Sequence, residues 1–275
     1  MISIPSKSKI DRTLTPVTRA SIAADLRALG VREGETLLVH SALSAFDWIV
    51  GGPEAVVLGL LDALSEDGTL VAPAFTSDNS EPSNWRNPPV PEGWWQSIRE
   101  HTPAFNSGTP TRMMGLIADT VRTHPAAQRS DHPQNSFAAI GTHAAVITAA
   151  PTPLDAGFGD GSPLGALYEL VARVLLLGVG HGNNTSLHLS EHRADYPKPT
   201  IQEGAAVLVD GVRQWVAWEG IDYDDDDFET IGAAFEQAMP GAINAGQVGG
   251  APARLMSLCS LVDFGATWMT ANRGK

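Results

Sequence analysis

The run Val174-Leu175-Leu176-Leu177-Gly178-Val179, continuing as Gly180-His181-Gly182-Asn183-Asn184-Thr185, decides the fold of this chain. An unbroken apolar run of this length, ended by glycines, fits a strand buried on both faces. A turn follows, and a helix is expected from about Ser186. Strand, Gly-rich turn and helix in succession form the repeating unit of an α/β sheet.

The same grammar recurs upstream. Thr36-Leu37-Leu38-Val39-His40 reads as a short buried strand, and Gly51-Gly52-Pro53 opens a helix with proline in its first turn. Val56, Val57, Leu60, Leu61 and Leu64 keep helical spacing, and Glu66-Asp67-Gly68 turns the chain into a second strand, 69–75. Ile22, Leu26 and Leu29 place a helix over 18–29, stopped by Gly30. Downstream, Met113 to Thr123 is expected to be helical and Phe137 to Ile140 a strand. Asp210-Gly211 joins two β-prone runs, 205–209 and 212–218, as a hairpin. The acidic stretch Asp222 to Asp227 precedes a helix near 229–239. These elements predict one α/β domain over 1–275, with no internal repeat and no flexible linker.

Two stretches break the pattern. Residues 76–111 carry Pro82, Pro88, Pro89, Pro91, Pro103 and Pro110 together with Trp85, Trp94 and Trp95. That much aromatic surface argues for an ordered excursion beside a site. The second, 151–163, is Gly-rich and carries Asp155 and Asp160.

Charge and cysteine usage exclude several classes. With 31 acidic and 18 basic side chains the formal charge is −13, which repels nucleic acid and anionic membrane alike. At 43% hydrophobic residues the chain is too apolar for disorder. The single Cys259 closes no internal disulfide and builds no zinc-cysteine cluster, which fits a reducing cytoplasm. Met1 to Lys9 lacks the apolar core of a signal peptide, and no run approaches the ~18 apolar residues of a membrane span.

Chemistry is expected where the best strand ends, since open α/β sheets hold ligands at the carboxyl ends of their strands. His188 lies one turn into the following helix, where an imidazole can serve as a base near neutral pH. His188-Leu189-Ser190-Glu191-His192 also matches H-x-x-E-H, a zinc-hydrolase signature with two histidines on one helix face. His40-Ser41-Ala42-Leu43-Ser44 and Ser107-Gly108-Thr109-Pro110-Thr111-Arg112 offer hydroxyls and turn N–H groups for a phosphorylated cofactor. Neither is a P-loop, and no dinucleotide fingerprint follows the first strand. Not all the carboxylates of 222–227 can share one cleft, so one or two at most are expected to be functional.

Taken in order, four pieces make the chain resemble the aminoglycoside 3-N-acetyltransferase family. They are Leu38-Val39-His40-Ser41-Ala42-Leu43, Gly68-Thr69-Leu70-Val71-Ala72-Pro73-Ala74-Phe75, Arg129-Ser130-Asp131-His132-Pro133, and Leu175 to His181 continuing through Leu187-His188-Leu189-Ser190-Glu191. The resemblance implies transfer of acetyl from acetyl-CoA to the 3-amino group of a 2-deoxystreptamine antibiotic, with no metal. It implies a central mixed sheet flanked by helices, distinct from the split-sheet fold of the common acetyltransferases. The catalytic base falls on His188, its acidic partner on Asp222, with Glu219 and Asp224 as alternatives. Thr185 lies among the donors for the oxyanion. Coenzyme contacts fall on Ser41, Leu43, Phe75, Thr109 and Arg112, and the polycationic substrate is expected to meet Asp78, Glu81, Asp155, Asp160, Glu191 and Glu219. His192 becomes incidental, and the zinc hydrolase remains as the alternative from another class. A monomer or homodimer is expected.

Overall fold

The computed structural model describes residues 7–149 and 152–274. Most of the expectation about the first nine residues, and residue 151 at the start of the second loop, therefore lie outside the described residues. The strands are β1 (Thr36–Ser41), β2 (Thr69–Pro73), β3 (Gln128–Arg129), β4 (Phe137–Gly141), β5 (Arg173–Leu177), β6 (Thr200–Val209), β7 (Val212–Ile221), β8 (Ile243–Val248) and β9 (Ala251–Ser257). Seven of them form one sheet in the order β3-β4-β2-β1-β5-β9-β8, while β6 and β7 pair only with each other. At the centre β1 runs parallel to both β2 and β5, and the outer pairs are antiparallel. The expected mixed sheet is therefore present.

The helices are α1 (Lys7–Arg12), α2 (Arg19–Leu29), α3 (Gly52–Leu64), α4 (Trp95–His101), α5 (Gly115–Thr123), α6 (Ala144–Thr148), α7 (Pro163–Glu169), α8 (Leu187–Arg193), α9 (Phe228–Ala238) and α10 (Leu258–Asn272). No described helix is long and apolar enough to cross a membrane. Strand alternation sends side chains to two cores. Leu37, Val39, Leu175 and Leu177 join Leu26 of α2, Leu60 of α3 and Val121 of α5 on one face. On the other, Leu38, Val71, Val174 and Leu176 pack with Leu164 of α7, Leu187 of α8, Phe235 of α9 and Leu261 of α10. Burial on both faces explains why these central strands read as continuous apolar runs.

Several expected boundaries move for local reasons. The strand expected to reach Val179 stops at Leu177, because Gly178 turns left-handed (φ +76°) where a Cβ would lie 2.4 Å from that of Ala45. The helix expected from Met113 begins at Gly115, since Met113 itself sits at φ +60°. The first excursion contains α4 and short 3₁₀ turns, so its tryptophans mark a folded segment.

That excursion is fastened to the β6–β7 hairpin. Asn79 uses both ends of its amide on one residue, donating to Ala206 O at 3.0 Å and accepting from Ala206 N at 2.8 Å. Phe105 N–H donates to the same carbonyl, and Asn84 donates to Gln202 O at 2.8 Å. Asn79 thus satisfies an edge-strand peptide as a neighbouring strand would.

Candidate active site

The centre of the sheet changes direction of travel at β1, whose parallel neighbours β2 and β5 lie on opposite sides. Such a switch point opens a crevice at the carboxyl ends of the strands. A cavity of about 100 Å³ occupies that place, lined by His40 and Ser41 of β1, Pro73 and Phe75 at the end of β2, and Val179, Asn183 and Thr185 beyond β5. Met113 and Met114, just ahead of α5, close its far side.

His188 stands on α8, which starts directly after this turn. Its Nδ1 lies 3.0 Å from Glu191 Oε2. Positions i and i+3 of a helix are neighbours, so the pair is built within one turn. With a carboxylate at Nδ1, that nitrogen carries the hydrogen and Nε2 keeps its lone pair. The ring is held by aromatic side chains. Phe158 stacks on it at 4.5 Å with a 12° interplanar angle, and Tyr223 and Phe228 meet it at steeper angles.

Glu191 is 1% exposed, so its charge needs partners. Its second oxygen, Oε1, accepts from Arg273 Nη1 at 2.7 Å, Asp224 N at 3.0 Å and the Tyr196 hydroxyl at 3.3 Å.

Two further histidines are buried neutral. Burial lowers the pKa of His40 to about 3, helped by repulsion from His188, and its Nε2 is enclosed without a hydrogen-bond partner. Burial likewise lowers His132 to about 4, while its Nδ1 accepts from the backbone N–H groups of Gln134 and Asn135. In the unfolded chain both would titrate near 6.5. The folded pKa values are depressed, so stability is full above that pH and falls as the pH drops toward 4 and then 3. By pH 5 the loss is about 2 kcal/mol for each. Thermal melts should show His132→Asn, whose side-chain oxygen can still cap the turn, losing about 2 kcal/mol less than wild type between pH 7.5 and 5. An equal loss in both proteins would refute this account of acid sensitivity.

The structure revises several expected roles. Asp222 is exposed, with its N–H donating to Pro199 O, and no hydrogen bond joins its side chain to His188. Glu191 takes that place instead, because a helical i+3 neighbour reaches Nδ1 and a residue leaving β7 points to solvent. The alternatives fare no better: Glu219 accepts from Thr200 Oγ1 across the hairpin at 2.7 Å, and Asp224 meets Glu191 through its backbone N–H while its carboxylate accepts from Asp226 N. Glu191 is accordingly buried beneath the histidine and does not face a substrate. Glu81 is also buried, bound to Arg99 at 2.5 Å and to Ser83 at 2.8 Å, so it ties the start of the excursion to α4 within it.

Other expected residues stay near the crevice. Ser41, Phe75 and Thr185 line the cavity, whereas Leu43, Thr109 and Arg112 do not. The last two are nevertheless stitched to its rim: Arg112 N–H donates to Phe75 O at 3.0 Å, and Thr109 O accepts from Arg129. Arg129, which reads only as part of a motif in the sequence, also donates to Ala74 O and Ser107 O. Asp78 pairs with Arg112 at 2.5 Å and Asp160 with Arg193 at 2.7 Å, while Asp155 is exposed. The H-x-x-E-H residues do not converge as ligands. Among the described residues, only the exposed Asp224, Asp225 and Asp226 bring three such groups together, and His192 packs instead against Gly159.

A buried carboxylate–histidine pair thus follows a cavity at the strand ends of a mixed α/β sheet, an arrangement able to exchange a proton. The chain belongs to the aminoglycoside 3-N-acetyltransferase family, whose model matches residues 38–270. It is 43% identical over 98% of both chains to the SPbeta prophage-derived aminoglycoside N(3')-acetyltransferase-like protein YokD of Bacillus subtilis. The crystal structure of YokD superposes with a TM-score of 0.94, covering 98% of this chain and 99% of that one. Aminoglycoside N(3)-acetyltransferase VII of Streptomyces paromomycinus is 35% identical, over 97% of this chain and 96% of its own. The complex of AAC-IIIb with CoASH has a TM-score of 0.83 at 32% identity, covering 94% of this chain and 97% of that one. These relatives do not support the zinc-hydrolase alternative.

Proposed function

We propose that this protein transfers acetyl from acetyl-CoA to the 3-amino group of 2-deoxystreptamine aminoglycosides, and so confers resistance to them. The observation that carries this reading is the His188–Glu191 pair, its nitrogen and oxygen 3.0 Å apart, on the helix that follows the cavity-lining Asn183 and Thr185 at the carboxyl ends of β1, β2 and β5. An aminoglycoside amine is mostly protonated near pH 7, and only its free base attacks a thioester. Its nitrogen lone pair forms the bond to the acetyl carbonyl carbon while His188 Nε2 takes the ammonium proton. The C–S bond then breaks, the electron pair leaves on the coenzyme thiolate, and the proton on His188 passes to that sulfur. The cavity-lining Thr185 is assigned to the oxyanion.

Acetyl-CoA is a cosubstrate here, and no step calls for a metal. Ser41 and Phe75 would hold its reactive end, with Leu43, Thr109 and Arg112 along the rim. The single domain presents its two excursions, 76–111 and 151–163, to the antibiotic, with Asp78, Asp155, Asp160 and Glu219 as its carboxylates. On this assignment the protein works in the cytoplasm as a monomer or homodimer, with neither nucleic acid nor membrane as partner, in keeping with a charge of −13.

Thiol release from acetyl-CoA should be measured across a panel of aminoglycosides, with the acetylated nitrogen located by NMR. Turnover with acetate on the 3-amino group is the expected result. Turnover confined to amines outside the panel would overturn the substrate assignment and leave an acetyltransferase for another amine.

A further inference from the structure

Arg273, immediately after α10, lies just beyond residue 270, where the match to the family model ends. Its side chain nevertheless reaches the centre of the site. Nη1 donates to Glu191 Oε1 at 2.7 Å and to the Tyr196 hydroxyl at 3.1 Å. Nη2 donates to Asp224 O at 2.8 Å, and Nε and Nη2 both engage Asp227, the former at 2.9 Å. The Arg273 side chain is 11% exposed, and its partners Asp224 and Asp227 adjoin Tyr223 and Phe228, whose rings meet His188.

We propose that Arg273 is a positioning residue for the acid–base pair: it holds Glu191 as an oriented carboxylate and thereby governs the proton on His188. Glu191 divides its oxygens cleanly, Oε2 to the imidazole and Oε1 to Arg273. A buried carboxylate with only a neutral imidazole beside it would bind a proton itself or draw one onto the histidine. Either event leaves the pair with one proton too many, so Nε2 is not available as a base. The guanidinium prevents both, because its fixed positive charge disfavours a further proton anywhere in the pair.

The other titratable groups around the pair are His40 from β1, Tyr196 after α8, Tyr223 and Asp224 after β7, Asp227 ahead of α9, and Asp155 in the second loop. Among them His40 stays neutral near pH 7 and the tyrosines remain protonated, burial having raised both. Asp227 acts oppositely to Arg273, whose charge it partly offsets. Removing the arginine charge should therefore raise the pH at which the pair loses its proton, and removing the Asp227 charge should lower it.

The role in catalysis rests on the acetyl-transfer reading, so the test pairs an activity measurement with one that needs no turnover. Arg273→Gln keeps hydrogen-bond donors and loses the charge, whereas Arg273→Lys keeps the charge. The His188 ring should be titrated by NMR in the free protein, and the acid limb of kcat/KM followed by thiol release from acetyl-CoA. Arg273→Gln should move both midpoints up by on the order of one pH unit, with KM for acetyl-CoA within about twofold of wild type. Arg273→Lys, which keeps the charge, should leave both midpoints close to wild type. A His188 midpoint unchanged in folded Arg273→Gln overturns the proposal. Should that variant not fold, Asp227→Asn decides: a downward midpoint supports the proposal and an unmoved one overturns it. A shifted NMR midpoint in a protein that releases no thiol with any aminoglycoside would sustain the role of Arg273 and refute the acetyl-transfer reading.

Discussion

His188→Ala should lower kcat for aminoglycoside acetylation by about 10²–10⁴-fold, the contribution of an aligned acid–base group. Two features make the loss specific to proton transfer. The ring lies over Phe158 at 4.5 Å and against Phe228 at 4.7 Å, so those aromatics would still shape the wall after truncation. The cavity residues Ser41 and Phe75 belong to other segments and Thr185 meets His188 only through its backbone carbonyl, so KM for acetyl-CoA should change little. Raising the pH supplies more free amine without the enzyme, and the variant's deficit should accordingly shrink at high pH. Steady-state rates from pH 6 to 10 would show this. A variant within about threefold of wild type at pH 7 would end the assignment of His188 as the base.

Glu191→Gln should be nearly as damaging to turnover while leaving the fold recognisable. A glutamine of the same shape can still accept from Asp224 N and Arg273 through its oxygen, which are two of the three bonds now made by Oε1. Its NH₂ group then faces His188 Nδ1 in place of Oε2. A donor there requires Nδ1 to be the acceptor, which puts the ring hydrogen on Nε2, the nitrogen needed as base. The wrong tautomer should cost about 10²–10⁴-fold in kcat. Glu191→Ala adds a structural penalty, because the buried Arg273 loses its carboxylate, and breaking such a pair costs about 3–5 kcal/mol. Since Asp227 retains hold of Arg273, the lower end is expected. Melting curves and single-turnover rates on both variants separate the two effects. Near wild-type turnover by Glu191→Gln would show that the carboxylate does not set the tautomer.

The central strands were legible because burial on both faces leaves a contiguous apolar run, as in Leu37 to Val39 and Val174 to Leu177. The far edge of the sheet was not. β8 is mostly exposed, with Asn244, Ala245, Gly246 and Gln247 all facing solvent, so it carries neither alternation nor an apolar run. Gly249 and Gly250 at its turn, and Pro252 in β9, further weaken the signal. His188 stands out in the sequence as a candidate by its place after the best strand. Its partner was misplaced on Asp222 although Glu191 stood three residues away, at a spacing that helix geometry alone makes a contact. Arg273 and Phe158 lie 82 and 30 residues from the residues they touch and belong to no local motif, so only the folded chain reveals them.

Asn79 has a consequence for anyone altering what the enzyme accepts. Its amide, with Asn84 and Phe105, ties the first excursion to β6 through peptide groups of Gln202 and Ala206. Because β6 and β7 belong to no other sheet, the excursion and the hairpin form a cassette, joined to the main sheet's loops through Gln134, which donates to Glu203 and to Gly204 O. Each contact at this joint ends on a backbone group, which no side-chain replacement removes, so side chains facing the ligand are free to vary. Residues 76–111 and 200–221 should therefore be exchanged together in chimeras, with an asparagine kept at the joint. A transplant of either half alone would leave the edge of β6 without its partner.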